Sequence, residues 1–193
     1  MSIVGDKYSD PKLIAADLIA QAEHDIYAQS ILITDNKKLI SLVNKNLKQQ
    51  LADLPKKKIA IQSLKNFGLA IYTEKRNKIS EIINIIAPEH LELYTSFNNR
   101  LIKDVKNAGS IFIGKFSPEA IGDYLAGPNH VLPTSGSARF SSGLSVNDFQ
   151  KRQSYIKITK KGFKSLGPHV INLANHEGLK GHSNSIEIRI KKK

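Results

Sequence analysis

The sequence contains no cysteine, and this absence limits the chemistry that the chain can perform. No disulfide can stabilise the fold, no thiolate can act as a nucleophile, and a bound metal would need nitrogen and oxygen ligands. The apolar runs are also short, since none approaches the roughly 20 residues of a membrane-spanning helix. The N-terminus lacks the basic stretch and apolar core of a secretory signal. These absences predict a cytoplasmic protein without a membrane segment.

Arginine is scarce as well, although the 193 residues carry a formal charge of +12. Most basic residues are scattered lysines, with short clusters only at residues 56–58, 160–161 and 191–193. Arginine is the residue best suited to bidentate phosphate contacts, and no aromatic-rich strand with interleaved basic residues occurs. Net charge alone therefore suggests a nucleic-acid-binding protein as an alternative. A lysine-rich solvated surface is the favoured interpretation, and nucleic acid is not expected as a partner.

Short apolar segments alternate with helical patterns through most of the chain. Such alternation is typical of an α/β fold with a mainly parallel sheet and flanking helices. We therefore predict an α/β domain over residues 1–143. A strand and turn are predicted at residues 2–6, and further strands at 28–34, 68–72, 91–94 and 110–114. The helices are predicted at residues 12–25, 36–54, 56–66, 74–86 and 99–107.

A polar, glycine-rich segment at residues 135–145 marks a boundary in the chain. The residues from 144 to 193 are too few for a substantial core of their own. We predict a small, mostly helical subdomain there, with helices at 146–153 and 162–175 and an alternating apolar segment at 185–190. This subdomain is expected to pack on the α/β domain or on another subunit.

Two prolines and two glycines shape the segment at residues 122–134. Proline fixes φ and glycine permits turns that other residues make poorly, so we predict a stiff loop. The loop carries a carboxylate, Asp123, and an imidazole, His130. Functional groups are often held on ordered loops, so this segment is the predicted centre of the functional site.

Two further pairs of residues could converge on this loop. Gln21 and His24 have the i, i+3 spacing that places two side chains on one helix face, where they could bind an ion. Glu89 and His90 follow a helix stop, and either group could carry a proton near neutral pH. On local pattern alone, surface or capping residues account better for the first pair, and a structural turn accounts better for the second.

Glu177 and His182 lie near the C-terminus in a segment with two glycines, which predicts a loose turn. His169 and His176 are expected on a helix, and we interpret them as surface or packing residues. One amide, two imidazoles and one carboxylate would form a site suited to Zn²⁺ or Mn²⁺. Spacing alone leaves open whether the four candidates meet, and these are Gln21, His24, Asp123 and His182.

Six segments, taken together and in order, resemble histidinol dehydrogenase. The family oxidises L-histidinol to L-histidine through the aldehyde in two NAD-dependent steps, as a homodimer with one zinc per site. The resemblance therefore implies a zinc- and NAD-dependent alcohol and aldehyde dehydrogenase. The segments are DLIAQAEHD at 17–25, APEHLEL at 87–93, AGSIFIG at 108–114, SPEAIGDYLAGPNHVLPT at 117–134, ARFSSGLSVNDFQKR at 138–152 and EGLKGHSNSI at 177–186.

The resemblance also implies roles for single residues. Glu89 and His90 match the acid/base pair of the family, with His90 accepting the alcohol proton and Glu89 activating the water that attacks the aldehyde. His182 would act across the dimer interface. The implied zinc ligands are Gln21, His24, Asp123 and His182, and the implied substrate-binding residues are these four together with His90, His130 and Glu177.

The sequence matches only the C-terminal part of the family, so residues 1–143 are expected to form an incomplete Rossmann-like domain. No G-x-G-x-x-G loop occurs, and the NAD site is expected in the N-terminal part that the chain does not match. One hypothesis is a C-terminal portion that works with a separately encoded N-terminal half. The alternative is a truncated, non-catalytic remnant that still binds zinc or an imidazole ligand. An incomplete sheet would also expose a strand edge and favour association.

Overall fold

The structure is a computed structural model, and it describes residues 1–191. Lys192 and Lys193, which belong to the predicted C-terminal subdomain and to the basic cluster at 191–193, lie outside the described residues. The chain separates into two compact units, Met1–Phe149 and the segment from Gln150 onward. The predicted domain boundary between residues 143 and 144 stays a prediction.

The first unit contains a five-stranded sheet in which every strand pair is parallel. The strand order is β3-β2-β1-β4-β5, so the first strand of the chain lies at the centre of the sheet. Ile3 of β1 lies opposite Leu32 of β2 on one side and Glu92 of β4 on the other. This arrangement confirms the predicted α/β fold. The strands are β1 Ser2–Gly5, β2 Ser30–Thr34, β3 Gly68–Tyr72, β4 His90–Tyr94 and β5 Ser110–Ile113.

Helices connect the strands and flank the sheet. The first helix begins where the Asp10 side chain accepts a hydrogen bond from the Lys12 N–H, and Pro11 occupies the first turn. Both features are common at helix N-termini, because proline needs no N–H partner there. The helices of this unit are α1 Pro11–Ala22, α2 Lys37–Ala52, α3 Lys57–Phe67, α4 Arg76–Ile86, α5 Asn98–Leu101 and α6 Glu119–Tyr124.

The core lies on both faces of the sheet. Consecutive residues of a strand point to opposite faces, so Ile3 packs into one apolar cluster and Val4 into the other. Helices α1 and α2 cover the first face, and α4 and α5 cover the second. The first cluster also contains Ile14, Leu18, Leu32, Leu39 and Val43, and the second also contains Ile31, Ile33, Ile79, Ile83, Leu91 and Leu93.

The direction in which the chain adds strands to the sheet reverses once. The chain runs outward from β1 to β2 and β3, and then returns to place β4 on the free side of β1. Crossovers of this kind put the helices that follow β1 and β4 on opposite faces, which leaves a crevice between the carboxyl ends of the two strands. The sheet therefore has a topological switch point between β1 and β4.

The predicted helix at 99–107 is wrong in its length. Only Asn98–Leu101 is α-helical. The Asn84 side chain explains the early end, because its amide oxygen accepts the N–H groups of Lys106 and Asn107 that a longer helix would use. A side chain from a neighbouring element has replaced the local hydrogen bonds.

The second unit contains two helices, α7 Lys160–His176 and α8 Lys180–Lys191. Gly167 lets them approach closely, because a Cβ at this position would lie 2.9 Å from the Ile190 side chain. The alternating segment at 185–190 is helical. The predicted helix at 146–153 is wrong, since only a 3-10 turn forms at Val146–Phe149 and Gln150–Gln153 is irregular. No helix within residues 1–191 is long and apolar enough to cross a bilayer.

Candidate functional site

The candidate site begins at the amino end of β4. Ala87 ends α4 with a left-handed backbone (φ 49°), and Pro88 cannot continue the helix. The chain then enters β4 at once, which places Glu89 directly before the strand and His90 at its first position. His90 is buried, with 5% of its surface exposed. The predicted pair Glu89 and His90 therefore lies at the amino end of an inner strand, with the imidazole inside the protein.

Asp123 lies on a helix and not on the predicted loop. The segment 119–124 forms α6, and the predicted loop conformation of Gly122–Tyr124 is wrong. Glu119 and Asp123 are four residues apart, so one face of α6 carries both carboxylates. Glu119 Oε1 lies 3.1 Å from His90 Nδ1, and Asp123 Oδ1 lies 3.8 Å from His90 Nε2. Each ring nitrogen of the buried imidazole therefore faces a carboxylate.

The predicted pair of Asp123 and His130 does come together. His130 Nδ1 lies 3.0 Å from Asp123 Oδ1, and the His130 ring is otherwise mostly exposed. Gly127 between them has a positive φ of 96°, a conformation that favours glycine. The turn after α6 thus returns His130 to the carboxylate at the end of that helix.

Several buried polar atoms at the site have no partner within residues 1–191. His90 Nδ1 lies at hydrogen-bonding distance from Glu119 but is misaligned with it, and Nε2 lies too far from Asp123, so neither ring nitrogen has a partner. A misaligned contact of this kind is weak. Glu119 Oε2 and Gln21 Oε1 are also unpaired. Buried polar atoms normally have partners, so these atoms are available to a ligand.

The same residues could bind a cation. Ligand atoms of His90, Glu119 and Asp123 all lie within 4.8 Å of one another. Imidazole nitrogen together with carboxylate oxygen is a donor set that Zn²⁺ accepts. The unpaired amide oxygen of Gln21 is a further donor. The residues present therefore fit a metal ion.

Burial controls the charge at the site. It lowers the pKa of His90 to about 4, although Asp123 opposes the shift, and the positive Met1 amine and His130 lower the value further. Burial raises the pKa of Glu119 to about 7, and Asp123 adds to this rise. Burial raises the pKa of Glu89 as well, against the attraction of the Met1 amine. At neutral pH the His90 imidazole is therefore uncharged and able to accept a proton.

A group of buried acids lies behind the imidazole. Glu92 is fully buried in β4, and its Oε1 accepts the Glu119 N–H at 2.7 Å. The Tyr94 hydroxyl donates to Asp17 at 2.6 Å, and Glu92 Oε2 has no partner within residues 1–191. Burial, together with the neighbouring Asp17 carboxylate, raises the pKa of Glu92 to about 8. Asp17 thus links α1 to β4 through Tyr94, and Glu92 links β4 to the start of α6.

Gln21 and His24 lie at the C-terminal end of α1. Gln21 occupies the last turn of α1 and lines a cavity of about 430 Å³ together with Glu89 and Met1. His24 lies two residues beyond the end of the helix and is exposed, and its charge contributes to the lowered pKa of His90. His24 is not part of the compact donor group.

Glu177 and His182 belong to the second unit. Glu177 is the C-cap of α7, and His182 lies in the first turn of α8, where its N–H donates to the Leu179 carbonyl. Both side chains are exposed. The predicted loose turn is shorter than 177–182, because α8 begins at Lys180. His169 and His176 are exposed on α7, as expected for surface residues.

Sequence reasoning missed two residues of the site, Glu119 and Glu92. The i, i+4 spacing of Glu119 to Asp123 behind a proline was an available signal for the first. Glu92 sits within the apolar segment predicted as a strand, where a charged residue on a buried face was the available signal. Neither signal could show that Glu119 lies next to His90 or that Glu92 lies next to Asp17.

The chain is similar to known proteins along nearly its whole length. The sequence profile of the family described as "Histidinol dehydrogenase" matches residues 1–190. A histidinol dehydrogenase from Pelagibacter ubique is 53% identical over 193 residues, covering 100% of this chain and 45% of the relative. One from Clostridium acetobutylicum is 49% identical over 189 residues, covering 98% and 44%. The chain thus spans less than half the length of these relatives.

A solved structure agrees with the fold. The crystal structure of histidinol dehydrogenase from Elizabethkingia anophelis superposes with a TM-score of 0.95 at 37% sequence identity. The match covers 98% of this chain and 44% of that chain.

Proposed function

Because the chain belongs to the histidinol dehydrogenase family, we propose that it supplies the proton-transfer and metal-binding part of a histidinol dehydrogenase. The reaction is the NAD-dependent oxidation of L-histidinol to L-histidine through the aldehyde. The observation that carries the proposal is His90, a buried and uncharged imidazole whose two unpaired nitrogens lie between the carboxylates of Glu119 and Asp123.

His90 accepts the proton of the substrate alcohol in this proposal. Its low pKa of about 4 keeps a ring nitrogen free to take a proton at neutral pH. The Glu119 carboxylate lies 3.1 Å from Nδ1. Glu89, one residue before His90, takes a proton from the water that attacks the aldehyde. Burial of Glu89 makes its carboxylate a stronger base than an exposed one, because the raised pKa favours the protonated form.

A zinc ion would be held by Gln21, His24 and Asp123, and by His182 from a second copy of the chain. The buried, unpaired amide oxygen of Gln21 and the position of Asp123 beside His90 support this set. When bound, zinc would act as a Lewis acid that orients the substrate and polarises its oxygen. His130 and Glu177 are the proposed substrate contacts, and the homodimer is the proposed functional unit.

The NAD site is proposed to lie in the part of the family that this chain does not match. The test combines the chain with the N-terminal portion of the Pelagibacter ubique relative and follows NADH formation from histidinol. Activity is expected in the mixture and not from the chain alone. If the mixture binds zinc and histidinol but forms no NADH, the proposed catalytic role is wrong.

The His90→Asn variant tests the proton acceptor. Turnover in the mixture should fall by roughly 10²–10⁴-fold, the usual contribution of general base catalysis. His169→Asn is the matched control, because His169 is an exposed histidine on α7. Equal turnover of the His90→Asn variant and the control would exclude His90 as the base.

Zinc titration by calorimetry tests the ligands. Gln21→Ala and Asp123→Asn should weaken binding, whereas Asp53→Asn at the exposed end of α2 should not. If Glu119→Gln removes zinc binding and Gln21→Ala does not, the ion is held by the group of His90, Glu119 and Asp123 and the proposed ligand set is wrong.

A second candidate function is a non-catalytic protein that retains zinc and ligand binding. The unpaired buried atoms of His90, Glu119 and Gln21 support it, because such atoms could bind an ion or a ligand without any catalysis. This candidate predicts that zinc and histidinol bind while the mixture stays inactive. NADH formation in the mixture would exclude it.

A further inference from the structure

The switch point of the sheet contains a second cavity. It encloses about 640 Å³, which lies within the usual range of roughly 300–1,000 Å³ for small-molecule sites. Its walls come from the segments that follow β1, β4 and β5, and they include Tyr8, Tyr94 and Phe116. In open parallel sheets, ligands bind outside the carboxyl ends of the strands at this point.

This crevice is separate from the candidate site. His90 is the first residue of β4 and Tyr94 is the last, so the two places lie at opposite edges of the sheet. A strand of this length spans roughly 13 Å at about 3.3 Å per residue. The crevice at the carboxyl ends of the strands therefore has no role in the candidate site.

Two exposed aromatic rings flank the crevice. Tyr8 is 71% exposed and Phe116 is 82% exposed, and they come from different loops. The Lys7 ammonium lies 4.8 Å from the centre of the Tyr8 ring, and the Lys115 ammonium lies 4.9 Å from that of Phe116. An aromatic face next to a positive charge is suited to a ligand that has both a planar ring and an anionic group.

The base of the crevice is rigid. Asp6 is fully buried, and its carboxylate accepts the Tyr8 N–H at 2.9 Å and both the N–H and the hydroxyl of Ser96 at 2.7 Å. The Ser9 hydroxyl donates to the Tyr94 carbonyl at 2.7 Å. These bonds join the loop after β1 to the loop after β4. A ligand would therefore enter a preformed site without having to order these two loops.

We propose that this crevice binds a purine nucleotide, with the base stacked on Tyr8 and Phe116 and the phosphate next to Lys7 and Lys115. The size of the cavity suits one nucleotide. The N-terminus of α1 is not the phosphate site, because the Asp10 carboxylate already caps it and would repel an anion. The inference does not depend on the proposed function, since it uses none of the same residues.

Isothermal titration of the chain with AMP, ADP and adenosine tests the inference. Saturable binding of AMP and ADP is expected. The double variant Tyr8→Ala and Phe116→Ala should bind AMP at least about tenfold more weakly, since each lost stacking contact is costly. Lys115→Gln should weaken ADP binding more than adenosine binding. Phe140→Ala is the control, because Phe140 is also highly exposed and does not line the crevice.

His90→Asn separates this site from the candidate active site, and it should leave AMP affinity unchanged. Circular dichroism establishes that each variant is folded. The inference is overturned if neither nucleotide binds at millimolar concentration, or if a folded aromatic double variant binds AMP as well as the unaltered chain. It is also overturned if the double variant changes only the oligomeric state, because the aromatic rings would then form a protein interface.

Discussion

Replacing the buried Glu92 with glutamine should change how the stability of the chain depends on pH. Burial, with the neighbouring Asp17, raises the pKa of Glu92 from 4.5 to about 8. The folded chain therefore keeps a proton that the unfolded chain has already released. Stability is highest below the unfolded value, falls as the pH rises towards the folded value, and is constant above it.

The structure indicates the size of the effect. Each unit of pKa corresponds to about 1.4 kcal/mol, so ionisation of Glu92 should cost the folded state on the order of 5 kcal/mol at alkaline pH. Glutamine has the same shape and cannot ionise. Its amide oxygen can still accept the Glu119 N–H. We therefore expect the variant to be more stable than the unaltered chain at alkaline pH by a few kcal/mol.

Urea denaturation at about pH 5 and about pH 9 measures this difference. The loss of stability between the two conditions should be clearly smaller in the Glu92→Gln variant, and the remainder should come from Asp17 and Glu119, whose pKa values are also raised. Glu81→Gln is the control, because Glu81 is half-exposed and pairs with Lys78 on the surface of α4. If the two variants lose the same stability on going to alkaline pH, Glu92 is not a buried neutral acid.

Three further predictions concern the same sheet. Leu93→Ala should lower the free energy of unfolding by about 2–5 kcal/mol, as measured by urea denaturation, because Leu93 is fully buried and would leave a cavity. Gly109→Ala should cost about 1–3 kcal/mol in the same assay, because the new Cβ would lie 2.5 Å from the Glu89 carbonyl and push β5 away from the candidate site. Burial alone would raise the pKa of Asp6, but the hydrogen bonds from Ser96, Tyr8 and Ser9 together lower it, so the carboxylate contributes stability that is lost as the pH falls through the folded value. Asp6→Asn should therefore be less stable than the unaltered chain at about pH 6, and the difference should shrink at about pH 2; a constant difference would contradict this reasoning.

The strands were predictable from the sequence because they are short apolar runs ended by turn residues. The strand at Gly68–Tyr72 agrees with its predicted bounds, and the strands at Ser30–Thr34 and His90–Tyr94 differ from theirs by one or two residues. The strands at Ser30–Thr34 and His90–Tyr94 are buried, and Ile71 of the third strand packs on the second apolar cluster, so local pattern and final environment agree there.

Helix α6 and the short helix α5 were not predictable, because distant side chains decide their bounds. The first N–H of α6 donates to Glu92, and the N–H groups beyond α5 donate to Asn84. The same limit applied to the site. His90, Asp123 and His130 could be identified as candidates from the sequence. Glu119 becomes a candidate only because it lies next to the His90 imidazole, which is far away in the sequence.

The central position of β1 has a consequence for the order in which the fold is completed. One edge of this strand can pair as soon as Ser30–Thr34 is available, but the other must wait until the ribosome has released β4. Up to that moment the nascent chain carries an apolar strand with one open side, which can recruit a neighbouring polypeptide. Completion of the sheet therefore depends on contacts distant in sequence, and a slow final step of folding is expected, during which a chaperone could protect the open strand.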